Sequence, residues 1–284
     1  MQSGLYFRRE EPPLIQADYH LHSCFSSDSE TQIKDIIETA VLKGFDTICL
    51  TDHHDIDFPV DKNGFDFQLD TPAYWNTMTK LRDEYKDKLD IRIGVELGLM
   101  SHISDEAAAY ANAYPFDFII GSSHLVNLVD PYYPEYYEGR TETEAYRAYF
   151  ESILENVKAI KTYDVYGHLD YVVRYGPTKN LNFKFSDYAE VFEALLKIII
   201  QDGKGIEINT DGLYKGLGYP HPHMDILKLY KSLGGEIITV GSDAHITDKL
   251  GYGFDMAEQY LLEAGFSYYT VFKNRTPEYR RLGV

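Results

Sequence analysis

The stretch LIQADYHLH, residues 14–22, decides the fold. A short apolar run ends on His20-Leu21-His22 and gives way to a serine-rich loop. On a strand, residues i and i+2 point to the same side, so both imidazoles can reach one ion. The same arrangement recurs along the chain. FDTICL (45–50) runs into Thr51-Asp52-His53, IRIGV (91–95) into Glu96, and FDFII (116–120) into Gly121-Ser122-Ser123-His124. YDVYG (163–167) runs into His168, and EIITV (236–240) into Gly241-Ser242-Asp243-Ala244-His245. With GIEIN (205–209), seven runs are predicted strands, and Asp28 follows the first of them in a loop. Nine metal-ligand-type groups thus lie at or just past strand ends: His20, His22, Asp28, His53, Glu96, His124, His168, Asp243 and His245. A βα barrel places its active-site residues at the C-terminal ends of its strands. Nine groups are too many for one ion and suit two or three that share bridging carboxylates.

Helical patterns separate the strands, which predicts a parallel sheet. Ser29 and Gln32 suggest a capping box before Ile33, Ile36, Ile37, Ala40 and Val41, a stripe that ends at Gly44. Thr141 and Glu144 suggest a second box, and Ser186 a cap for a helix to about Gln201, with Gly203 beyond it. Further helices are predicted near 72–88, 105–113, 222–233 and 255–264. An eighth apolar run, SYYTVF from Ser267, carries no ligand-type residue. No repeat or composition break divides the chain, so residues 1–284 are read as one domain.

Segments 54–71 and 125–140 fit no regular element and directly follow His53 and His124. Their acidic and aromatic content predicts substrate walls on the functional face. His54 is read as a loop residue, and His102, His221 and His223 as surface or loop residues. Asp52 is expected to orient an imidazole from behind.

The bulk properties narrow the partners. The 284 residues are 44% hydrophobic and 25% charged, ordinary for a globular protein. No run of about 18 apolar residues predicts a membrane span. The first residues, MQSGLYFRREEPP, lack the apolar region of a signal peptide. Two cysteines, Cys24 and Cys49, suggest no disulfide framework and fit a reducing cytoplasm. The formal net charge of −18 disfavours nucleic acid, whose backbone is bound by Lys and Arg. It leaves room for a small phosphorylated substrate held through cations. Nothing in the sequence fixes an oligomeric state.

With these residues in view, the chain resembles the PHP (polymerase and histidinol phosphatase) superfamily. The motifs read His20-Leu21-His22, Thr51-Asp52-His53, His124 and Ser242-Asp243-Ala244-His245, with Glu96 and His168 at further ligand positions. Within it, the chain most resembles the monofunctional histidinol-phosphate phosphatases, through DYHLHSCFSSDSE, GVELGL, GSSHLV, YGHLDYVVRYG, EINTDGL, GSDAH and TVFKNRTP. The resemblance implies a distorted seven-stranded βα barrel with a trinuclear site. One ion takes His20, His22, Glu96 and Asp243; a second shares Glu96 and takes His124 and His168; a third takes Asp28, His53 and His245. Some relatives carry histidine where this chain has Asp28. A carboxylate is the harder ligand and tilts that site from zinc towards manganese or iron.

The implied reaction is hydrolysis of L-histidinol phosphate to L-histidinol and phosphate, in histidine biosynthesis, by a metal-bridging hydroxide. Glu96 and Asp243 are the implied catalytic carboxylates. Arg174 is the expected phosphate clamp, because a guanidinium matches phosphate bidentately. Lys215, Asn209 and Ser123 are further candidate substrate contacts. The amine of the substrate is expected to meet Asp55, Asp57, Asp130 or Glu135. Its imidazole is expected to meet Phe58, Tyr132, Tyr133 or Tyr136. The alternatives are a general phosphoesterase or nuclease of the same superfamily, and an inactive metal-binding structural module.

Overall fold

A computed structural model describes residues 15–60, 62 and 64–283. The N-terminal stretch read above, with Leu14 of the first run, lies outside the described residues. Seven parallel strands follow one another in the order β1 (Ala17–Leu21), β2 (Thr47–Leu50), β4 (Asp90–Gly98), β5 (Phe118–Ser122), β6 (Val165–Tyr166), β7 (Gly205–Asn209) and β8 (Ile238–Gly241). The short β3 (His53–Asp55) shares one side of β4 with β2. Strand β2 pairs with Asp90–Ile93, and β3 with Glu96–Gly98. The pair is one strand interrupted at Thr51-Asp52, and its resumption sets His53 opposite Glu96.

The circle is nearly closed. Between β8 and β1 there is a parallel bridge from Leu21 to Ala244 rather than a full ladder. His22 N–H donates to the Ala244 carbonyl at 3.0 Å, and Asp243 N–H to the His20 carbonyl at 2.8 Å. These observations match the expected seven-stranded α/β barrel.

Among the described residues, eight helices lie between and after the strands: α1 (Ile33–Lys43), α2 (Thr71–Tyr85), α3 (Ser104–Ala113), α4 (Glu142–Ala159), α5 (Ala189–Gln201), α6 (Asp211–Tyr214), α7 (Met224–Ser232) and α8 (Phe254–Glu263). Helix α5 shows why they pack: Val191, Phe192, Leu195, Leu196 and Ile199 form one buried stripe. Each such side chain contributes about 1.5–3 kcal/mol on burial. Thr141 and Glu144 form the expected capping box of α4. Gly44 and Gly203 take the left-handed conformation that ends a helix. The other two caps differ from expectation. Ser29 instead donates to the His245 carbonyl at 2.9 Å, and α1 starts from Gln32 without a side-chain cap. Ser186 lies in a separate 3₁₀ turn, and α5 begins at Ala189.

The eighth apolar run forms β9 (Tyr268–Lys273), which turns back as β10 (Thr276–Arg281). This antiparallel hairpin lies under the N-terminal end of the barrel. Tyr19 on β1 donates to the Phe272 carbonyl at 2.8 Å, and the Phe118 and Phe272 rings lie 5.0 Å apart. Strand β10 had no counterpart in the sequence reading, because TPEYRR is polar and mostly exposed.

Candidate metal centre

The strand ends bring all nine ligand-type groups together. Glu96 is central and fully buried. Its Oε2 lies 3.1 Å from His20 Nε2, 3.4 Å from His22 Nε2 and 3.0 Å from His53 Nδ1. Its Oε1 lies 3.2 Å from His124 Nε2 and 2.9 Å from His168 Nε2. The two oxygens of one carboxylate therefore face two different imidazole groups. Asp243 Oδ1 sits 3.3 Å from His22 Nε2 and 3.7 Å from His20 Nε2. At the outer edge Asp28 Oδ2 lies 3.1 Å from His245 Nε2 and 3.8 Å from His53 Nε2. The His22 ring is stacked between His53 and His245, 4.2 Å from each.

Most of the imidazoles are held from behind. His20 Nδ1 bonds Glu207 at 2.6 Å, and His124 Nδ1 bonds Asp55 at 2.6 Å. His22 Nδ1 lies 3.1 Å from Ser26 Oγ, and His245 Nδ1 lies 3.0 Å from the Asp243 carbonyl. Each of these four rings thus turns Nε2 to the centre, the arrangement that orients metal-binding histidines. His168 differs: Glu207 holds its backbone N–H at 3.2 Å, while its Nδ1 has no partner. Asp52 does not touch an imidazole. It accepts from Ser23 and from Ser26, and reaches His22 only through Ser26.

The fit to cations rests on atoms left without partners. His20 Nε2, His22 Nε2, His53 Nδ1, Glu96 Oε2 and His245 Nε2 are buried with no hydrogen-bond partner. Buried polar atoms are nearly always satisfied, because an unmade hydrogen bond costs free energy. Four sets of ligand atoms lie within 4.8 Å of one another: His20, His22 and Asp243; Glu96, His124 and His168; His22, His53 and His245; and His53, Asp55 and His124. Burial, with the neighbouring His53 and His245, pushes the His22 imidazole down to about 3. Burial would raise Glu96, but His20, His53 and His124 outweigh it and hold the carboxyl well below its ordinary range. Asp243 adopts a left-handed backbone, φ 54°, uncommon for a residue with a side chain. Asp18 keeps it there by accepting the Ser242 N–H at 2.9 Å, and Asn209 Nδ2 donates to Asp243 Oδ2 at 3.2 Å.

Above this floor opens a cavity of about 340 Å³. Seven of the nine groups line it, with His20 and His22 just beneath. One side is cationic: Arg174, Lys215 and Lys249. Arg174 is buried, its Nη1 2.6 Å from Asp211 Oδ2 and 3.8 Å from Asp243 Oδ2, its guanidinium 4.3 Å from the Tyr171 ring. The two irregular loops supply Asp55, Phe58, Phe67, Asp130, Tyr132 and Tyr133 to the lining. A Lys62–Glu135 ion pair joins those loops at the surface.

Several expected contacts are corrected. Ser123 faces away from the cavity, because strand geometry alternates and its neighbour His124 faces in. It bonds Tyr166 at 2.6 Å and Asn156 at 2.9 Å. Asn209 is buried beneath Asp243 and supports it rather than meeting a substrate. Tyr136 is buried, donating to the Ala145 carbonyl. Asp57 pairs with His102 at the surface, and Glu135 with Lys62. His221 is fully buried against Asp170, whereas His223 is half-buried and caps α7. His54 stacks on Tyr110 at 3.9 Å, outside the cavity. The sequence reading missed Glu207, Asp211 and Lys249. Glu207 carried a usable signal, a carboxylate inside the apolar strand GIEIN; Lys249 carried none.

The PHP domain model matches residues 18–211. A histidinol-phosphatase from Lactococcus lactis subsp. lactis (strain IL1403) is 36% identical over 250 residues, which span 88% of this chain and 91% of the relative. The crystal structure of histidinol phosphate phosphatase from Lactococcus lactis subsp. lactis Il1403, complexed with zinc, L-histidinol and phosphate, superposes with a TM-score of 0.85 at 34% identity. That superposition covers 93% of this chain and 98% of the other. A structure from Listeria monocytogenes, 22% identical with a TM-score of 0.74, covers 84% of this chain and 99% of its own and shares the fold. On the domain match and the length and identity of these alignments, the chain belongs to the PHP domain family.

Proposed function

We propose that the protein is a metal-dependent phosphomonoesterase that hydrolyses L-histidinol phosphate to L-histidinol and phosphate. The observation that carries the reading is Glu96, whose two oxygens face two imidazole groups on the floor of a cavity with a cationic wall. The Lactococcus relatives, one with zinc, L-histidinol and phosphate bound, support the substrate. We assign two or three divalent ions, zinc, manganese or iron. His20, His22, Glu96 and Asp243 would hold one. Glu96, His124 and His168 would hold the next, and Asp28, His53 and His245 the outermost. Bound there, such ions supply charge that neutralises phosphoryl oxygens and lower the pKa of water enough to give a nucleophile at neutral pH.

The chain's own groups do the rest. Arg174 binds phosphate oxygens and orients the phosphorus over the floor; Lys215 assists from the rim. The leaving oxygen needs a proton, which Asp243, whose Oδ2 borders Arg174, would pass on from the attacking water, or which a water held by the ions would supply directly. Asp55 and Asp130 are the remaining acceptors for the amine, and Phe58, Tyr132 and Tyr133 the remaining walls for the imidazole.

The continuous core from Ile15 to Leu282 supports one domain. Both cysteines are free, which supports a cytoplasmic setting. Among the described residues, no helix is long and apolar enough to cross a membrane. The test is phosphate release by purified, metal-quantified protein, comparing histidinol phosphate with a simple alkyl phosphate and a nucleotide. Preference for histidinol phosphate is expected. Equal turnover of all three would make the enzyme a broad phosphoesterase.

A further inference from the structure

The loop that carries Arg174 is anchored by two side chains that the reaction scheme above leaves unused. Asp170 and His221 are fully buried, and neither lines the cavity. His221 Nδ1 lies 2.6 Å from Asp170 Oδ1. The other carboxylate oxygen accepts the His223 N–H at 3.0 Å. His221 also pairs its backbone with Asn209 in both directions, each bond 2.8 Å. Asn209 is the residue that supports Asp243. On its other side, the Asp170 carbonyl accepts the Val173 N–H at 3.0 Å, which opens the 3₁₀ turn Tyr171–Arg174. The connections run from the Arg174 turn through Asp170 and His221 to the end of β7.

A buried ion-pair-type contact is a poor device for stability alone. Desolvating both partners costs free energy that an apolar pair of similar volume would not. What it adds is direction. A charge-assisted hydrogen bond fixes two loops in one relative position, where apolar contact lets them slide. Arg174 needs such a fix, because its bonded partner Asp211 also lies just past β7. If the 168–174 loop moved away from β7, the guanidinium would lose Asp211 and leave its place beside Asp243.

We propose that Asp170 and His221 are positioning residues for phosphate binding: they hold the 168–174 loop against β7 so that Arg174 stays on the cavity wall. This rests on the phosphatase reading and on Arg174 as the clamp.

The test is a double-mutant cycle in metal-loaded enzyme. Asp170→Asn and His221→Gln are made alone and on an Arg174→Ala background. The readouts are KM for histidinol phosphate, the inhibition constant of inorganic phosphate, kcat and metal content. Each single variant is expected to raise KM and the phosphate constant roughly tenfold, with kcat within about threefold and metal content unchanged. On the Arg174→Ala background the same changes should add less than about twofold, because the group they position is already gone. His221→Gln keeps a side chain of polar character in the site and tests the pair even if Asp170→Asn does not fold. A full-size loss on the Arg174→Ala background, or unaltered phosphate binding in the single variants, overturns the positioning role. Inorganic phosphate that binds normally to a wild-type protein unable to turn over histidinol phosphate would instead sink the substrate assignment and leave the cycle intact.

Discussion

At the N-terminal end of the barrel, three carboxylates that precede strands each meet an arginine. Asp46 meets Arg280, Asp117 meets Arg82 and Asp164 meets Arg275. Asp117 also accepts from Ile93 N–H at 3.0 Å and Asn274 N–H at 3.1 Å, so charge and hydrogen bonds are both met within the chain. At the C-terminal end the carboxylates Glu96, Asp243 and Asp28 meet imidazoles instead, and buried nitrogens are left without partners. Both ends bury carboxylates, Asp117 and Asp164 at the first and Glu96 and Asp243 at the second. The carboxylates of the first end have arginine partners within the chain, and those of the second are built around something the chain does not supply. In βα barrels, stability is written at one end and catalysis at the other.

The sharpest way to break this comparison is at the floor. His22→Ala or Asp243→Ala should lower kcat/KM by more than about a thousandfold, because both are assigned as ligands of the ions that would make the nucleophile. His223→Ala, on the rim of the fold, is the control and should cost little. Comparable losses in all three would put the site elsewhere. A step smaller is Glu207→Gln, which leaves every ligand in place but weakens the hold on His20. Metal affinity should fall by about 10–100-fold, the usual range for partners behind the ligands, as read by titration with zinc. Unaltered affinity would make Glu207 a packing residue only. For Arg174→Ala, KM should rise roughly tenfold or more with metal content constant, and kcat should fall too if the contact tightens during transfer. Unchanged kcat/KM would reduce Arg174 to a structural cation.

At the opposite end the signature should invert. Arg275→Ala leaves Asp164 buried without its partner and should cost about 2–3 kcal/mol of stability. That corresponds to roughly 4–12 °C in Tm for a chain of this size, with kcat/KM of the folded enzyme unaltered. A drop in activity without a drop in Tm would contradict the division between the two ends. The smallest effect is expected for Lys249→Gln. Lys249 sits over the Tyr214 ring, 3.1 Å from its centroid, with no carboxylate partner among the described residues. Its loss should lower kcat/KM by only about twofold to fivefold, more at low ionic strength than at high, where charges are screened. No dependence on salt would remove it from the substrate's path.

Eight of the nine floor residues were legible because they lie at or just past the end of an apolar run, and strand ends gather at one face of a parallel barrel; Asp28, in the serine-rich loop, was legible only through the family resemblance. What lies behind them was not. Glu207 reaches His20 across 187 residues, and Asp55 reaches His124 across 69. Spacing along the chain carries no sign of such pairings. Strand alternation beside His124 turns Ser123 away from the cavity, a placement that the sequence itself allows one to read. His221 was misread because it follows no strand of its own; it is buried through a two-way bridge to Asn209. The loops were legible as walls in composition only. Which of their acids face inward depends on local partners, such as Lys62 for Glu135 and His102 for Asp57.

The near-closure of the barrel has a consequence for biosynthesis. The contact between Asp18 and Ser242 spans 224 residues, and His20 and His22 share their centre with Asp243. At translation rates of about 5–20 residues per second, roughly ten to forty-five seconds pass between synthesis of the two sides. Throughout that interval the two histidines are bare chelators on an unfinished chain. The full set of candidate ligands is therefore assembled only once β8 has closed on β1, and a chain stopped before Asp243 would carry a partial set. Metal content in a freshly made population would report how many chains have completed the circle.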